Sequence, residues 1–130
     1  WDKTANAGFS SARKDKLYIR VDESDDRPDF DSQLHDDDSL LNTVKKLIDI
    51  RQSNKALQNC SDIEFISDGY PLVYKRKCAE QTVTVIINPA DKPLTVEGVS
   101  GKILYKACGE AEINGEKCSV GGCTAVFVEE

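Results

Sequence analysis

The sequence predicts a mainly β protein, an antiparallel Greek-key β-sandwich preceded by an extended arm and one amphipathic α-helix. Three observations lead to this fold class. Residues 1–38 are polar and show little hydrophobic periodicity, which indicates an extended arm. One strong helical repeat follows the arm. After residue 60 the chain changes to alternating or β-branched runs, which are typical of strands.

The helix is predicted over residues 39–53. Its apolar side chains recur at intervals of three and four residues and form one stripe, with lysines on the opposite face. Asp38 or Ser39 can cap the first turn, and the preceding acids suit the positive end of a helix. Such a stripe has to be buried against another element. Its members are Leu40, Leu41, Val44, Leu47, Ile48 and Arg51.

Seven or eight short strands are predicted after the helix, closely spaced as in a sandwich or barrel. A hairpin is expected to turn at Asn114–Gly115, because this dipeptide tolerates positive φ at both central positions. The other predicted strands cover residues 62–66, 70–78, 81–89, 94–98, 101–107 and 123–129.

The charge distribution argues against a nucleic-acid partner. The chain has 130 residues and a net charge of −6, and nine acids against one base lie between Asp22 and Asp38. A surface of this kind repels phosphate backbones. Because the acidic segment lacks the ligand spacing and central glycine of an EF-hand, we expect a solvated surface there and no calcium site. The sequence contains no apolar run of 18 residues, so no membrane partner is expected.

The cysteines predict no metal centre. The chain has five, an odd number, and they lack the close pairs of a zinc site. His35, the only histidine, is expected to be a surface residue paired with a neighbouring acid. We therefore predict no metal, no cofactor and reduced thiols, and from the thiols a cytoplasmic location. No serine, cysteine or carboxylate stands in a pattern that indicates a self-contained active site.

Two stretches at a fixed distance resemble a known family. "WDKTANAGF", followed by "SQLHDDDSLLNTVKKLIDIRQSNKAL" and a strand-rich tail, resembles the C-terminal region of α-amylase-family glycoside hydrolases. The oligo-1,6-glucosidase and α-glucosidase branch is the most similar. The positions that carry the resemblance are Trp1, Asp2, Asn6–Phe9, Gln33, Asp37, Ser39–Asn42, Leu47, Ile48, Arg51, Ala56 and Leu57.

This resemblance implies an organisation and a role. Residues 1–58 would be an arm and the last helix of a β/α barrel, and residues 59–130 a C-terminal sandwich that stabilises the barrel. The family hydrolyses α-glucosides with retention by two carboxylates, and neither can be assigned to a residue of this chain. We therefore expect no catalytic residue here and no activity of the chain alone. In the whole enzyme, Trp1, Asp2 and Asn6 are expected near the substrate.

The expected partners are the catalytic barrel of the same polypeptide and an α-glucoside oligosaccharide. Two other functions stay open on the sequence alone. The chain could be an independent carbohydrate-binding module, or a protein-interaction domain whose acidic arm binds a basic partner.

Overall fold

A computed structural model describes residues 1–59 and 62–130 of the chain. These residues form two compact units, Trp1–Ile48 and Asp49–Glu130. The predicted division between residues 58 and 59 refers to the end of a barrel, so it stays a prediction. Cys60 falls outside the described residues. The described part of the chain contains no helix with the length and apolar character needed to cross a bilayer.

The first unit consists mostly of turns. Two short 3-10 turns cover Ala5–Gly8 and Lys14–Lys16, and a five-residue helix, α1, covers Phe30–Leu34. The prediction of an extended arm misses α1, because five residues are too few to show a helical period. The helix is fixed at its start by Asp29, whose Oδ1 accepts a hydrogen bond of 3.0 Å from the Ser32 backbone N–H.

The amphipathic helix, α2, covers Leu40–Ser53 and confirms the predicted helix. Ser39 caps it, since its Oγ accepts a hydrogen bond from the Asn42 N–H at 3.2 Å. The Ser39 hydroxyl in turn donates to the Gln33 carbonyl at 2.6 Å, which joins α1 to α2. Three apolar members of the stripe remain exposed, namely Leu40 at 73%, Val44 at 44% and Ile48 at 48%.

The second unit contains eight strands in two antiparallel sheets, in agreement with the predicted fold class. One sheet has the order β1-β2-β3-β8-β5, and the other has the order β4-β7-β6. The last strand therefore lies between β3 and β5, and the connections cross between the sheets. The strands are β1 Asp62–Ser67, β2 Leu72–Cys78, β3 Gln81–Asn88, β4 Leu94–Glu97, β5 Lys102–Ala107, β6 Ala111–Asn114, β7 Lys117–Val120 and β8 Thr124–Glu129.

The large sheet has apolar packing on both faces. Strand β3 supplies both, which explains why its consecutive residues Val83–Ile86 are all buried instead of alternately buried and exposed. On one face Val83 and Val85 pack against Ala56, which belongs to a short 3-10 turn over Lys55–Leu57. The other face forms the core of the sandwich with Val73, Ile86, Val99, Cys118, Val120, Val126 and Val128.

The hairpin between β6 and β7 turns one residue later than predicted. Asn114 is the last residue of β6 and pairs with Lys117, so the two turn residues are Gly115 and Glu116. Gly115 has φ 63°, whereas Asn114 and Glu116 have negative φ. A hairpin turn with positive φ at its first central residue alone favours glycine there. The Asn-Gly signal located the hairpin, but the cross-strand register decided which residues turn.

Candidate functional site

The first unit contains a cavity of about 500 Å³ that Trp1 and Asn6 both line. Asp2, the third residue expected near a substrate, does not line it. It borders a separate cavity of about 480 Å³ with His35 and Asp29. The structure thus brings two of the three predicted residues into one concave site, and their position relative to a substrate stays a prediction.

The loop at residues 6–8 has a left-handed backbone. The φ angles are 55° at Asn6, 55° at Ala7 and 74° at Gly8. The Asn6 side chain supports this turn by donating from Nδ2 to the carbonyl oxygens of Ser10 at 2.7 Å and Ala12 at 2.8 Å. A left-handed residue with a Cβ costs about 1–2 kcal/mol. The amide hydrogen bonds of Asn6 and the burial of Ala7 hold the loop in this conformation.

Trp1 is held at its edge while its ring stays largely exposed. The indole Nε1 donates to the Pro28 carbonyl at 2.8 Å, and the Trp1 carbonyl accepts from the Phe30 N–H at 3.1 Å. The residue is still 61% exposed. Phe9, which directly follows the left-handed turn, is 72% exposed and lines the same cavity. The cavity therefore has two aromatic walls.

Asp2 serves the backbone of the loop. Its Oδ1 accepts a hydrogen bond from the Thr4 N–H at 2.8 Å and another from the Thr4 hydroxyl. The hydrogen bond from the Thr4 hydroxyl, and to a smaller extent the one from the Thr4 N–H, lowers the pKa of Asp2 below its ordinary value. The Asp2 carbonyl accepts from Arg27 Nη2 at 2.9 Å. This geometry makes Asp2 an anchor of the turn.

Two arginines and one aspartate bring charge to the cavity. Arg27 is fixed by its bonds to the carbonyl oxygens of Asp2 and Asp22, the latter at 3.0 Å. Arg20 has no hydrogen-bond or ion-pair partner among residues 1–59 and 62–130. Arg20 also borders an adjoining cavity of about 820 Å³. The sequence analysis did not single out Arg20, because it lies in an aperiodic segment where no pattern marks one basic residue over another.

Four described carboxyl groups, those of Asp2, Asp22, Asp29 and Glu64, have a pKa below the ordinary value, because each accepts hydrogen bonds from a neighbouring residue. A general acid needs a raised pKa, so these four groups are not suited to that role. Asp29 is 1% exposed and its carboxylate is engaged with the Ser32 N–H and hydroxyl. Its pKa is lowered chiefly by the backbone hydrogen bond from Ser32.

Neither His35 nor the described cysteines form a metal site. His35 is exposed, and its Nδ1 lies 2.8 Å from the Asp31 carbonyl oxygen, as expected for a surface histidine. Within the described residues, no three His, Cys, Asp or Glu side chains are grouped so that they could hold a metal ion. Cys78, Cys108, Cys118 and Cys123 are unpaired thiols.

The sequence is similar to the α-amylase catalytic domain over part of its length, and to a curated glucosidase. Residues 1–60 match the model of the α-amylase catalytic domain. The chain is 28% identical over 116 residues to the glucan 1,6-alpha-glucosidase of Streptococcus pneumoniae. That match covers 87% of this chain and 21% of the relative, so the chain spans about a fifth of the relative's length.

Solved structures share the fold over the whole chain. The trehalulose synthase MutB from Pseudomonas mesoacidophila MX-45 superposes with a TM-score of 0.81 at 20% identity, over 99% of this chain and 24% of that chain. The isomaltulose synthase PalI from Klebsiella sp. LX3 gives a TM-score of 0.79 at 18% identity, with the same coverage. At these identities the superpositions show the fold alone. The family match over residues 1–60 and the sequence relative together make the chain similar to α-amylase-family glycoside hydrolases, and the superpositions show a shared fold.

Proposed function

We propose that the chain is the non-catalytic C-terminal part of a retaining α-glucosidase that acts on α-glucosidic oligosaccharides, and that it stabilises the catalytic barrel. The glucosidase that matches 87% of the chain supports the enzyme class. The proposal also includes a cytoplasmic location, for which the exposed free thiols of Cys108 and Cys123 are suitable.

One observation carries the stabilising role. The stripe formed by Leu40, Val44 and Ile48 lies along one face of α2 and is 44–73% exposed in this chain. Covering a Val, Leu or Ile side chain completely contributes about 1.5–3 kcal/mol. The catalytic barrel is the partner that this stripe fits, since in a β/α barrel the outer helices bury one apolar face.

The chemistry would then belong to other parts of the enzyme. Retaining hydrolysis needs a carboxylate nucleophile and a carboxylic acid about 5–5.5 Å apart. In this chain the Asp2 and Asp29 carboxylates hold backbone turns instead. We expect the chain alone to show no turnover of a chromogenic α-glucoside.

A chimera tests the proposal. The matching segment of the Streptococcus pneumoniae glucan 1,6-alpha-glucosidase is replaced by this chain, and hydrolysis and thermal inactivation of the product are measured. We expect an active chimera, which the triple variant Leu40→Ser, Val44→Ser, Ile48→Ser inactivates at a lower temperature. The control, Lys45→Ser, changes an exposed residue away from the stripe and should leave the inactivation temperature unchanged.

Two results would contradict the proposal. Turnover by the isolated chain would show that it carries its own active site. An inactivation temperature that is the same for the stripe variant and the lysine control would show that the stripe does not contact the barrel. Circular dichroism of the isolated variants shows whether α2 remains folded in each of them.

A further inference from the structure

We infer that the cavity between Trp1 and Phe9 binds a neutral saccharide ring, with Arg20 as a hydrogen-bond donor to its hydroxyl groups. The inference rests on the proposed function for its substrate class and assigns two residues, Phe9 and Arg20, to the binding of that substrate. All residues that line this cavity lie within the unit Trp1–Ile48.

The walls of the cavity suit the faces of a sugar ring. Trp1 and Phe9 are 61% and 72% exposed, and both line the cavity, which has a volume of about 500 Å³. Ligand sites of about 300–1,000 Å³ are mostly apolar, with a few oriented polar groups. A pyranose has C–H groups on its two faces, so an aromatic wall can cover a face while the hydroxyl groups point outward. Tyr18, although fully exposed, does not line the cavity.

The polar groups suit a ligand that both donates and accepts hydrogen bonds. Arg20 and Arg27 offer N–H donors, and Asp22 offers carboxylate oxygens on the same cavity. Hydrogen bonds from the Ser24 backbone N–H and hydroxyl hold the pKa of Asp22 below its ordinary value, so it is an acceptor at neutral pH. Because a carboxylate lines the same cavity as the two guanidinium groups, hydroxyl groups, which both donate and accept hydrogen bonds, can bond to either kind of group.

The residues that form the cavity are held in place before any ligand arrives. The Trp1 indole is fixed by the Pro28 carbonyl, and Arg27 by two backbone carbonyl oxygens. Arg20 is the guanidinium of the cavity without a partner in the described chain, so all its donors are available. Preorganised groups lose little freedom on binding. Since Arg20 also borders the adjoining cavity of about 820 Å³, a second sugar unit can extend there.

Trp1 is the only tryptophan of the chain, so its fluorescence reports on this cavity directly. The protein is titrated with isomaltotriose, maltotriose and glucose. We expect a saturable change in emission, with tighter binding of the trisaccharides than of glucose. Phe9→Ala and Arg20→Gln should each weaken isomaltotriose binding by about fivefold or more, as loss of one aromatic or charged contact implies. Tyr70→Ala removes another exposed aromatic and should leave the affinity unchanged.

Several outcomes overturn the inference. The first is the absence of a saturable response up to the solubility limit of the trisaccharides. The second is equal weakening by Tyr70→Ala and Phe9→Ala. The third is saturation by inorganic phosphate in place of the sugars, which would make the cavity an anion site. An active chimera with no such binding would refute this inference and leave the proposed function standing. If the chain binds the sugars but its chimera is inactive, the proposed function is refuted and the sugar-binding cavity stands.

Discussion

Gln81 joins the end of α2 to the large sheet, and its replacement by alanine should destabilise the second unit. Its Oε1 accepts a hydrogen bond from the Ala56 N–H at 3.0 Å. Its Nε2 donates to Asn54 Oδ1 at 2.8 Å and to Glu129 Oε1 at 2.6 Å. Asn54 in turn donates to the Ile50 carbonyl in the last turn of α2 at 2.7 Å. One side chain thus connects the helix end with β3 and β8.

The size of the effect follows from what Gln81→Ala leaves unpaired. Ala56 is fully buried, so its N–H loses its partner without gaining water, at a cost of about 1–3 kcal/mol. The two hydrogen bonds from Nε2 are partly exposed and contribute about 0.5–1.5 kcal/mol each. Part of this contribution is recovered in the variant, because water can bond to the groups that Gln81 leaves free. We expect the free energy of unfolding to fall by about 2–4 kcal/mol.

Urea unfolding followed by circular dichroism in the β-sheet region measures this loss. With a slope of about 2 kcal/mol per molar urea, the midpoint should fall by about 1–2 M. Gln52→Ala makes the same substitution at an exposed position of α2 and should change stability by less than about 0.5 kcal/mol. If the two variants unfold at the same urea concentration, the contacts of Gln81 do not stabilise the fold and the reasoning is wrong.

Three other predictions concern single sites. Gly101→Ala should lower the free energy of unfolding, measured with denaturant, by more than about 2 kcal/mol, because φ is 123° and a Cβ would lie 2.0 Å from the Glu129 carbonyl oxygen. The control Gly69→Ala places its Cβ in open space and should leave the free energy of unfolding unchanged. The pKa of Asp29 is lowered on folding, so its contribution to stability is present above its unfolded pKa of about 3.9 and is lost as the pH falls through the folded value. Trp1 fluorescence during acid titration should show a smaller acid-induced loss of structure in Asp29→Asn than in the unchanged chain; an identical acid transition in the two would contradict this role. A thiol reagent added to the native protein should label Cys108 and Cys123 but not Cys118, as measured by peptide mass analysis. Cys118 is fully buried, and this burial raises the pKa of its thiol. Rapid labelling of Cys118 would contradict its place in the core.

The helix and the strands could be predicted from the sequence because their signals are local. The stripe of α2 repeats within a few turns, and the alternating or β-branched runs of β1–β8 are readable within each strand. The resemblance carried by Trp1–Phe9 and by the helix indicated a family to which the comparisons also find the chain similar. These features depend on neighbours in the chain, so no tertiary contact is needed to predict them.

Features that depend on residues distant in sequence could be established only from the three-dimensional structure. The turn at Gly115 follows from the pairing of Asn114 with Lys117, and β8 lies between β3 and β5 through long-range pairing. Trp1, Phe9 and Arg20 line one cavity although they are separated in the sequence. The left-handed turn at residues 6–8 and the hydrogen bond from Trp1 to the Pro28 carbonyl bring these parts of the arm together. A periodic sequence pattern cannot predict this cavity, because its residues do not belong to one helix or strand.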